Sequence, residues 1–267
     1  MRHALLLIAA LCLPLAGCLP GTRADQPIPT LHLPAASQAA SKRLVVVLPG
    51  RADDLAALRR SGVADAIRRA WPDADVTFAE LRLGDYRRGD APERLHRDVM
   101  LPAQAAGYRE IWLAGASLGG MGTLMYDRLH PGATAGLILL APYLGEGAVP
   151  DSVAAAGGLS RWTPPDTAGL PERDAWQYDL WRHLHAISAD PAAAGRVWLA
   201  YGREDRLRPA IELFAPALPA GHVLLRDGGH RWQVWTPAIE ALLRRIDAGH
   251  GDPGRNDAAG DATQASP

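Results

Sequence analysis

The sequence predicts an α/β fold: a mostly parallel sheet with helices packed on both faces. Short aliphatic runs alternate along the chain with longer segments of helical spacing. Several of these runs end in turns rich in glycine or proline. The chain has 267 residues, of which 48% are hydrophobic and 21% charged, enough for one domain with a sizeable core.

The N-terminal segment reads as a targeting signal. Met1-Arg2-His3 is a short basic start, and the apolar run from Ala4 to Leu15 is too short for a membrane-spanning helix but suits a secretory signal. Leu15-Ala16-Gly17-Cys18 follows at once and resembles the lipobox of bacterial lipoproteins. That resemblance implies cleavage before Cys18 and a lipid on its sulfur. Residues 1–17 are then the signal peptide and 18–43 a lipid-anchored tether rich in Pro, Ala, Thr and Gln, with a short strand from Ile28 to Leu33 as an option within it. Leu19 after the cysteine resembles lipoproteins of the outer membrane facing the periplasm.

The body, 44–247, alternates. Leu44 to Leu48, with three valines and then Pro49-Gly50, reads as a buried strand. Asp53 to Ala70 has helical spacing, with Asp53 or Asp54 as cap and Pro72 beyond its end. Strands are expected at Asp75 to Leu81, Glu110 to Ala116 and Ala135 to Ala141, with helices at Pro92 to Ala106, broken near Pro102, and at Leu118 to Leu129. The alternation stops at Tyr143. An insertion runs to Ile187, aperiodic to Pro171 and then helical from Asp174, and carries Trp162, Trp176 and Trp181. Strand Arg196 to Tyr201, helix Pro209 to Leu218, strand His222 to Arg226 and helix Thr236 to Ile246 complete the series, with Pro237 in the last helix's first turn. The tail, 248–267, has a disordered composition.

In such a sheet the site lies at the carboxyl ends of the strands. Gly115-Ala116-Ser117-Leu118-Gly119 follows an apolar strand and opens a helix there. This G-x-S-x-G pattern supplies small residues on both sides of a serine held in a sharp strand-to-helix turn, with the Leu118 N–H facing the anion formed when Ser117 attacks a carbonyl. A serine nucleophile needs a base, and the base needs an orienting acid. Of nine histidines, His230 is the one in a glycine turn, Asp227-Gly228-Gly229-His230, after a late strand. Glu204 and Asp205, adjacent carboxylates, follow the strand before it, and Arg203, Arg206 and Arg208 offer Glu204 solvated ion-pair partners.

The elbow at Ser117, the G-x-x-D turn from Gly202 to Asp205 and the turn at His230 together resemble the α/β-hydrolase superfamily over about Leu44 to Ile246. The resemblance implies Ser117 as nucleophile, His230 as base and Asp205, at the family's acid position, as its orienter. It puts a second oxyanion donor in the loop after the first conserved strand. Pro49 has no N–H, so that donor is Arg51, with Ala52 as the alternative. The insertion at 143–187 matches a small cap over a fairly open site, its tryptophans lining an acyl pocket or packing the cap onto the body.

The implied activity is hydrolysis of carboxylic esters or thioesters, on small-molecule or lipid substrates. A peptidase or acyltransferase with the same triad, and a non-catalytic lipoprotein binding module, are the alternatives. No cofactor and no metal is implied, since no Cys/His cluster has metal spacing and no phosphate-binding glycine loop follows a strand. With 28 basic and 29 acidic residues and a net charge of −1, nucleic acid is not an expected partner. The lipobox predicts that mass spectrometry of the mature N-terminus finds an acylated Cys18, and that Cys18→Ala leaves the membrane fraction. An unmodified terminus at another residue contradicts it.

Overall fold

The computed structural model describes residues 26–37, 43–167 and 172–250. The signal peptide, Cys18 and nearly all of the C-terminal tail lie outside the described residues. Ordered by the chain, β1 (Thr30–Leu33) and β2 (Arg43–Leu48) lead into α1 (Leu55–Arg60) and α2 (Val63–Ala70). Next come β3 (Ala74–Ala79), α3 (Leu83–Arg88), α4 (Ala91–Leu95) and α5 (Leu101–Ala105), then β4 (Glu110–Ala116), α6 (Leu118–Leu129) and β5 (Gly136–Leu140). The insertion contributes α7 (Ala148–Ala155) and α8 (Glu172–Ala189). After α9 (Pro191–Gly195) the chain closes with β6 (Val197–Gly202), α10 (Arg208–Phe214), β7 (Val223–Arg226) and α11 (Trp232–His250).

The strands form one seven-stranded sheet in the order β1-β3-β2-β4-β5-β6-β7. Every pairing is parallel except β1 with β3. The central strands β5 and β6 are buried at every position, and β2 at all but Arg43, which is why they read as unbroken apolar runs. The edge strand β1 instead alternates between exposed and half-buried residues. Part of the segment expected as a tether therefore supplies an edge of the sheet. Helices cover both faces. α2 and α11 pack on each other, while α6 packs on β2, β4 and β5 and against α4 and α8.

Several elements differ from the expected ones for local reasons. The single helix expected from Asp53 to Ala70 is two, because Gly62 turns left-handed at φ 73° and the Ser61 hydroxyl accepts the Val63 N–H. Asp54, not Asp53, caps the first of them, accepting from the Ala57 N–H at 2.7 Å. A π-helical turn over His96–Met100 precedes Pro102, widening the backbone where the proline ring would meet the carbonyl four residues back. α11 starts at Trp232, so Pro237 lies in its second turn rather than its first. α3, α7 and α9 were not expected at all.

A polar cluster ties the insertion to the body. Asp127, buried near the end of α6, receives Arg196 Nη2 at 3.0 Å and meets His183 Nε2 of α8 at 3.1 Å, while Arg196 also reaches the Thr134 carbonyl. Burial pulls the Asp127 carboxyl upward, but the hydrogen bond from His183 and the charge of Arg196 outweigh it and hold the group below its ordinary value. A depressed carboxyl contributes stability above its unfolded pKa of about 3.9 and loses it as the pH falls through the lower folded value. Asp127→Ala should therefore cost about 3 kcal/mol in urea unfolding at neutral pH, the low end for a broken buried pair because Arg196 is partly exposed. The difference from wild type should shrink below about pH 4. An equal stability of the two proteins at pH 7 contradicts this role.

Candidate active site

The predicted site residues converge at the carboxyl edge of the sheet, each from a different turn. Ser117 joins β4 to α6 at φ 54° and ψ −114°. Its N–H donates to the Leu140 carbonyl at 2.9 Å, and its own carbonyl accepts the Tyr143 N–H at 2.9 Å and the Met121 N–H at 3.2 Å. The flanking glycines are needed for close approach. A Cβ on Gly115 would overlap the Gly119 carbonyl, and one on Gly119 would stand 2.5 Å from the Leu48 oxygen and 2.6 Å from that of Pro49.

Asp205 follows β6 with its side chain fully buried, and His230 follows β7. His230 Nδ1 lies 2.9 Å from both carboxylate oxygens of Asp205, and Nε2 lies 2.8 Å from Ser117 Oγ. A carboxylate only accepts, so Nδ1 carries the proton and Nε2 is left to accept from the serine hydroxyl. Asp205 Oδ1 also accepts the Leu207 N–H at 2.9 Å, which fixes the carboxylate plane. The His230 ring meets Trp235 edge-on at 4.7 Å between centroids.

Glu204 stands apart from this run of hydrogen bonds, and it lacks the expected arginine partners. Arg203 pairs with Asp227 at 2.9 Å and Arg208 with Glu212 at 2.7 Å. The Glu204 carboxylate instead accepts the Gly228 N–H, and the Glu204 N–H donates to the Gly228 carbonyl at 3.2 Å. It thus fastens the turn that carries His230 to the turn that carries Asp205.

Asp53 has a similar part that its place in the sequence concealed. Asp53 Oδ2 accepts the Gly50 N–H at 3.2 Å and the Trp232 Nε1–H at 2.9 Å, linking the loop after β2 to the start of α11. Sequence spacing does not reveal the link to α11, because Trp232 is far along the chain. The same loop brings Gly50 against the elbow, where a Cβ on Gly50 would lie 3.8 Å from the Ser117 Cβ. The Leu118 N–H, first in α6, has no helical carbonyl to meet, and the Arg51 N–H has no hydrogen-bond partner among the described residues.

A groove of about 500 Å³ begins at Leu118 and runs between α3, α6 and α8. Trp176 lines it. The other insertion tryptophans are packing residues: Trp181 is buried with Nε1–H on the Leu144 carbonyl at 2.7 Å, and Trp162 donates to Ser152 Oγ at 3.0 Å. A larger hollow of about 980 Å³ lies at the amino ends of β4 and β6, beside Trp112, Trp198 and His222, away from Ser117. Among the described residues no group of three or more His, Cys, Asp or Glu is placed to hold a metal ion.

No protein-family model matches the chain, and no curated protein does. Solved structures do resemble it. Est1E from Butyrivibrio proteoclasticus superposes with a TM-score of 0.59 at 12% identity, covering 82% of this chain and 93% of that one. The Paleococcus ferrophilus monoacylglycerol lipase gives 0.52 at 15%, over 82% and 99%. MGS-MChE2, an alpha/beta hydrolase enzyme from the metagenome of lagoon sediments of Mar Chica, Morocco, gives 0.52 at 18%, over 85% and 98%. The fold is that of the α/β hydrolases.

Proposed function

We propose that the chain is a serine hydrolase that cleaves carboxylic esters or thioesters through an acyl-enzyme. The observation that carries this reading is the unbroken run of hydrogen bonds from Asp205 through His230 to Ser117 Oγ, with the serine on a strained elbow. Ser117 Oγ attacks the carbonyl carbon as its proton passes to His230 Nε2. Asp205 holds the imidazole in the tautomer that leaves Nε2 free and stabilises the imidazolium that forms. The bond to the leaving alcohol or thiol then breaks, and His230 gives that group the proton. Water repeats the sequence on the acyl-serine, releasing the acid. The oxyanion falls to the N–H groups of Leu118 and Arg51, the former at the positive end of the α6 dipole.

A monoacylglycerol lipase among the similar folds supports a lipid or other ester substrate. The lipobox at Leu15 to Cys18 supports export and a lipid anchor on Cys18 at the outer membrane, facing the periplasm. Such an anchor would keep the enzyme beside lipid esters.

Ser117→Ala should lower kcat on a simple aryl ester by about 10⁶ and abolish labelling by an organophosphonate. Retained turnover refutes the assignment. The two adjacent carboxylates should separate cleanly. Asp205→Asn loses about 10⁴ in kcat, because the amide can donate to Nδ1 and favour the wrong tautomer. Glu204→Gln keeps a carbonyl oxygen for the Gly228 N–H and should lose less than about tenfold. Steady-state kinetics with circular dichroism as a check on folding decides between them. A crippled Glu204→Gln beside an active Asp205→Asn reverses the two roles.

A further inference from the structure

The chain enters the domain on the edge that carries the nucleophile. Among the described strands β1 alone is antiparallel, and its first residue, Thr30, pairs with Ala79, the last of β3. The other strands run parallel, so the amino end of β1 lies at the carboxyl edge of the sheet, with Ser117, Asp205 and His230. A parallel β1 would have brought the chain in at the opposite edge.

The domain's grip on the chain reaches back to Gln26. The Gln26 carbonyl accepts Arg94 Nη2 at 2.6 Å. The Ile28 N–H donates to Asp98 Oδ2 at 3.1 Å, its side chain is buried, and the Pro29 carbonyl accepts the Glu80 N–H at 2.9 Å. Arg94 is itself buried and pairs with buried Asp85, which also pairs with Arg88 of α3. Arg88 lines the groove that begins at Leu118. Gln26 is therefore joined through a buried ion pair to the α3 wall of the groove. Releasing it would leave the buried Arg94 one acceptor short.

This latch shortens the reach of the anchor. Seven residues separate Cys18 from Gln26, a span of at most about 28 Å. A compact domain of this size is about 40 Å across. A lipid on Cys18 cannot then be joined to a bilayer around the far side of the domain. The edge where Gln26 enters stays on the bilayer side, and the amino edge, with the hollow beside Trp198 and His222, stays on the other. The groove starts on the bilayer side, and Leu118, Met121 and Met125 give its α6 side an apolar lining that suits an acyl chain leaving a membrane.

We propose that the carboxyl edge of the sheet faces the bilayer that holds the anchor, and that the groove beside Leu118 takes an ester lipid directly from that bilayer. This rests on the reading of the chain as a lipid-anchored serine hydrolase. The antiparallel β1 sets the edge, the latch at Gln26 sets the length of the tether, and together they set the orientation.

The test places the mature, acylated chain in phosphatidylcholine vesicles that carry a spin-label quencher on a lipid headgroup. With Cys12 lost in the signal and Cys18 a thioether, a single introduced cysteine takes a fluorophore. Arg87, on α3 beside the groove, and Ala220, ahead of β7 at the amino edge, are both exposed. The Arg87→Cys label should be quenched several-fold more than the Ala220→Cys label. Umbelliferyl oleate, dissolved in the bilayer, and umbelliferyl acetate, dissolved in water, report the source of substrate. Inserting about 40 Gly/Ser residues between Arg23 and Ala24 should lower the oleate-to-acetate ratio of rates about tenfold, leave the acetate rate unchanged and bring the quenching of the two labels together. Equal quenching of the two labels without the insertion, or stronger quenching at position 220, overturns the orientation while leaving the hydrolase reading intact. A ratio that survives the longer tether overturns supply from the bilayer in the same way. A chain that does not stay with the vesicles overturns the anchor and the proposal together, and no turnover of either ester overturns the hydrolase reading with it.

Discussion

A residue with a Cβ pays free energy to sit at positive φ, of order 1–3 kcal/mol. Ser117 is held there, at φ 54°, because the chain passes from β4 into α6 within one residue. The neighbouring structure is arranged around that turn. The Ser117 N–H is bonded to the end of β5 and its carbonyl to Tyr143, so the strand beside β4 and the start of the insertion both grip the elbow. Gly119 then lets α6 begin in contact with the Leu48 and Pro49 carbonyls at the end of β2. The outcome is a serine whose hydroxyl leads out of the sheet and whose following N–H starts a helix. Ala141, the only other non-glycine residue at positive φ among the described residues, ends the adjacent strand β5. Strain is thereby concentrated where two parallel strands stop.

The remaining groups reach the serine because parallel strands all end on one edge. His230 and Asp205 come from the turns after neighbouring strands β7 and β6, yet Ser117 is two strands further in. The histidine turn must therefore lean back over the sheet, and two carboxylates outside the hydrogen-bonded run fasten it. Glu204 holds Gly228 to the turn of Asp205, and Asp53 ties Trp232 to the loop after β2. Gly202 permits the first of these contacts, since a Cβ there would overlap the Gly228 carbonyl. The first fastening joins two loops and the second joins a loop to the start of α11, and neither uses a strand. The spacing between Ser117 and His230 thus depends on these hydrogen bonds as much as on the sheet.

What could be read from sequence divides along the range of the interactions. Strands β2, β4, β5 and β6 are buried on both faces, so their valines and leucines announce them, and the glycine turns after β4, β6 and β7 give the positions of Ser117, Asp205 and His230. Helix α3 was hidden because it is only six residues long, with Leu83 and Tyr86 its apolar residues among Gly84, Asp85, Arg87 and Arg88. Charge holds it together with the packing of Leu83 and Tyr86 on the core. Asp85 is buried, accepts the Arg82 N–H at 2.7 Å and pairs with Arg88 and the buried Arg94. A lone aspartate among arginines looks solvated in a linear reading, and only packing reveals it as an anchor. A linear reading takes Asp53 for a cap candidate and Glu204 for a solvated ion-pair member for the same reason, since each has a partner brought close only by folding. The π-helical turn before Pro102 is different: the proline marked a break, but not the form it takes.

The insertion shows how little of a binding surface is encoded locally. Its tryptophans are alike in sequence, yet two are spent on packing, with their indole N–H groups bonded to Leu144 and Ser152, and only Trp176 faces the groove. The distinction comes from α8, which Asp127 and Arg196 fix to the body through His183 at one end, so that Trp176 and Leu180 are set opposite the Leu118–Met121 face of α6. The groove is therefore bounded on one side by a helix held through a buried ionic cluster and on another by α3, itself held through Asp85. Polar groups anchor both walls while apolar side chains line the space between them. That division leaves a groove open beside the strained turn at Ser117, although its apolar lining is continuous with the hydrophobic core.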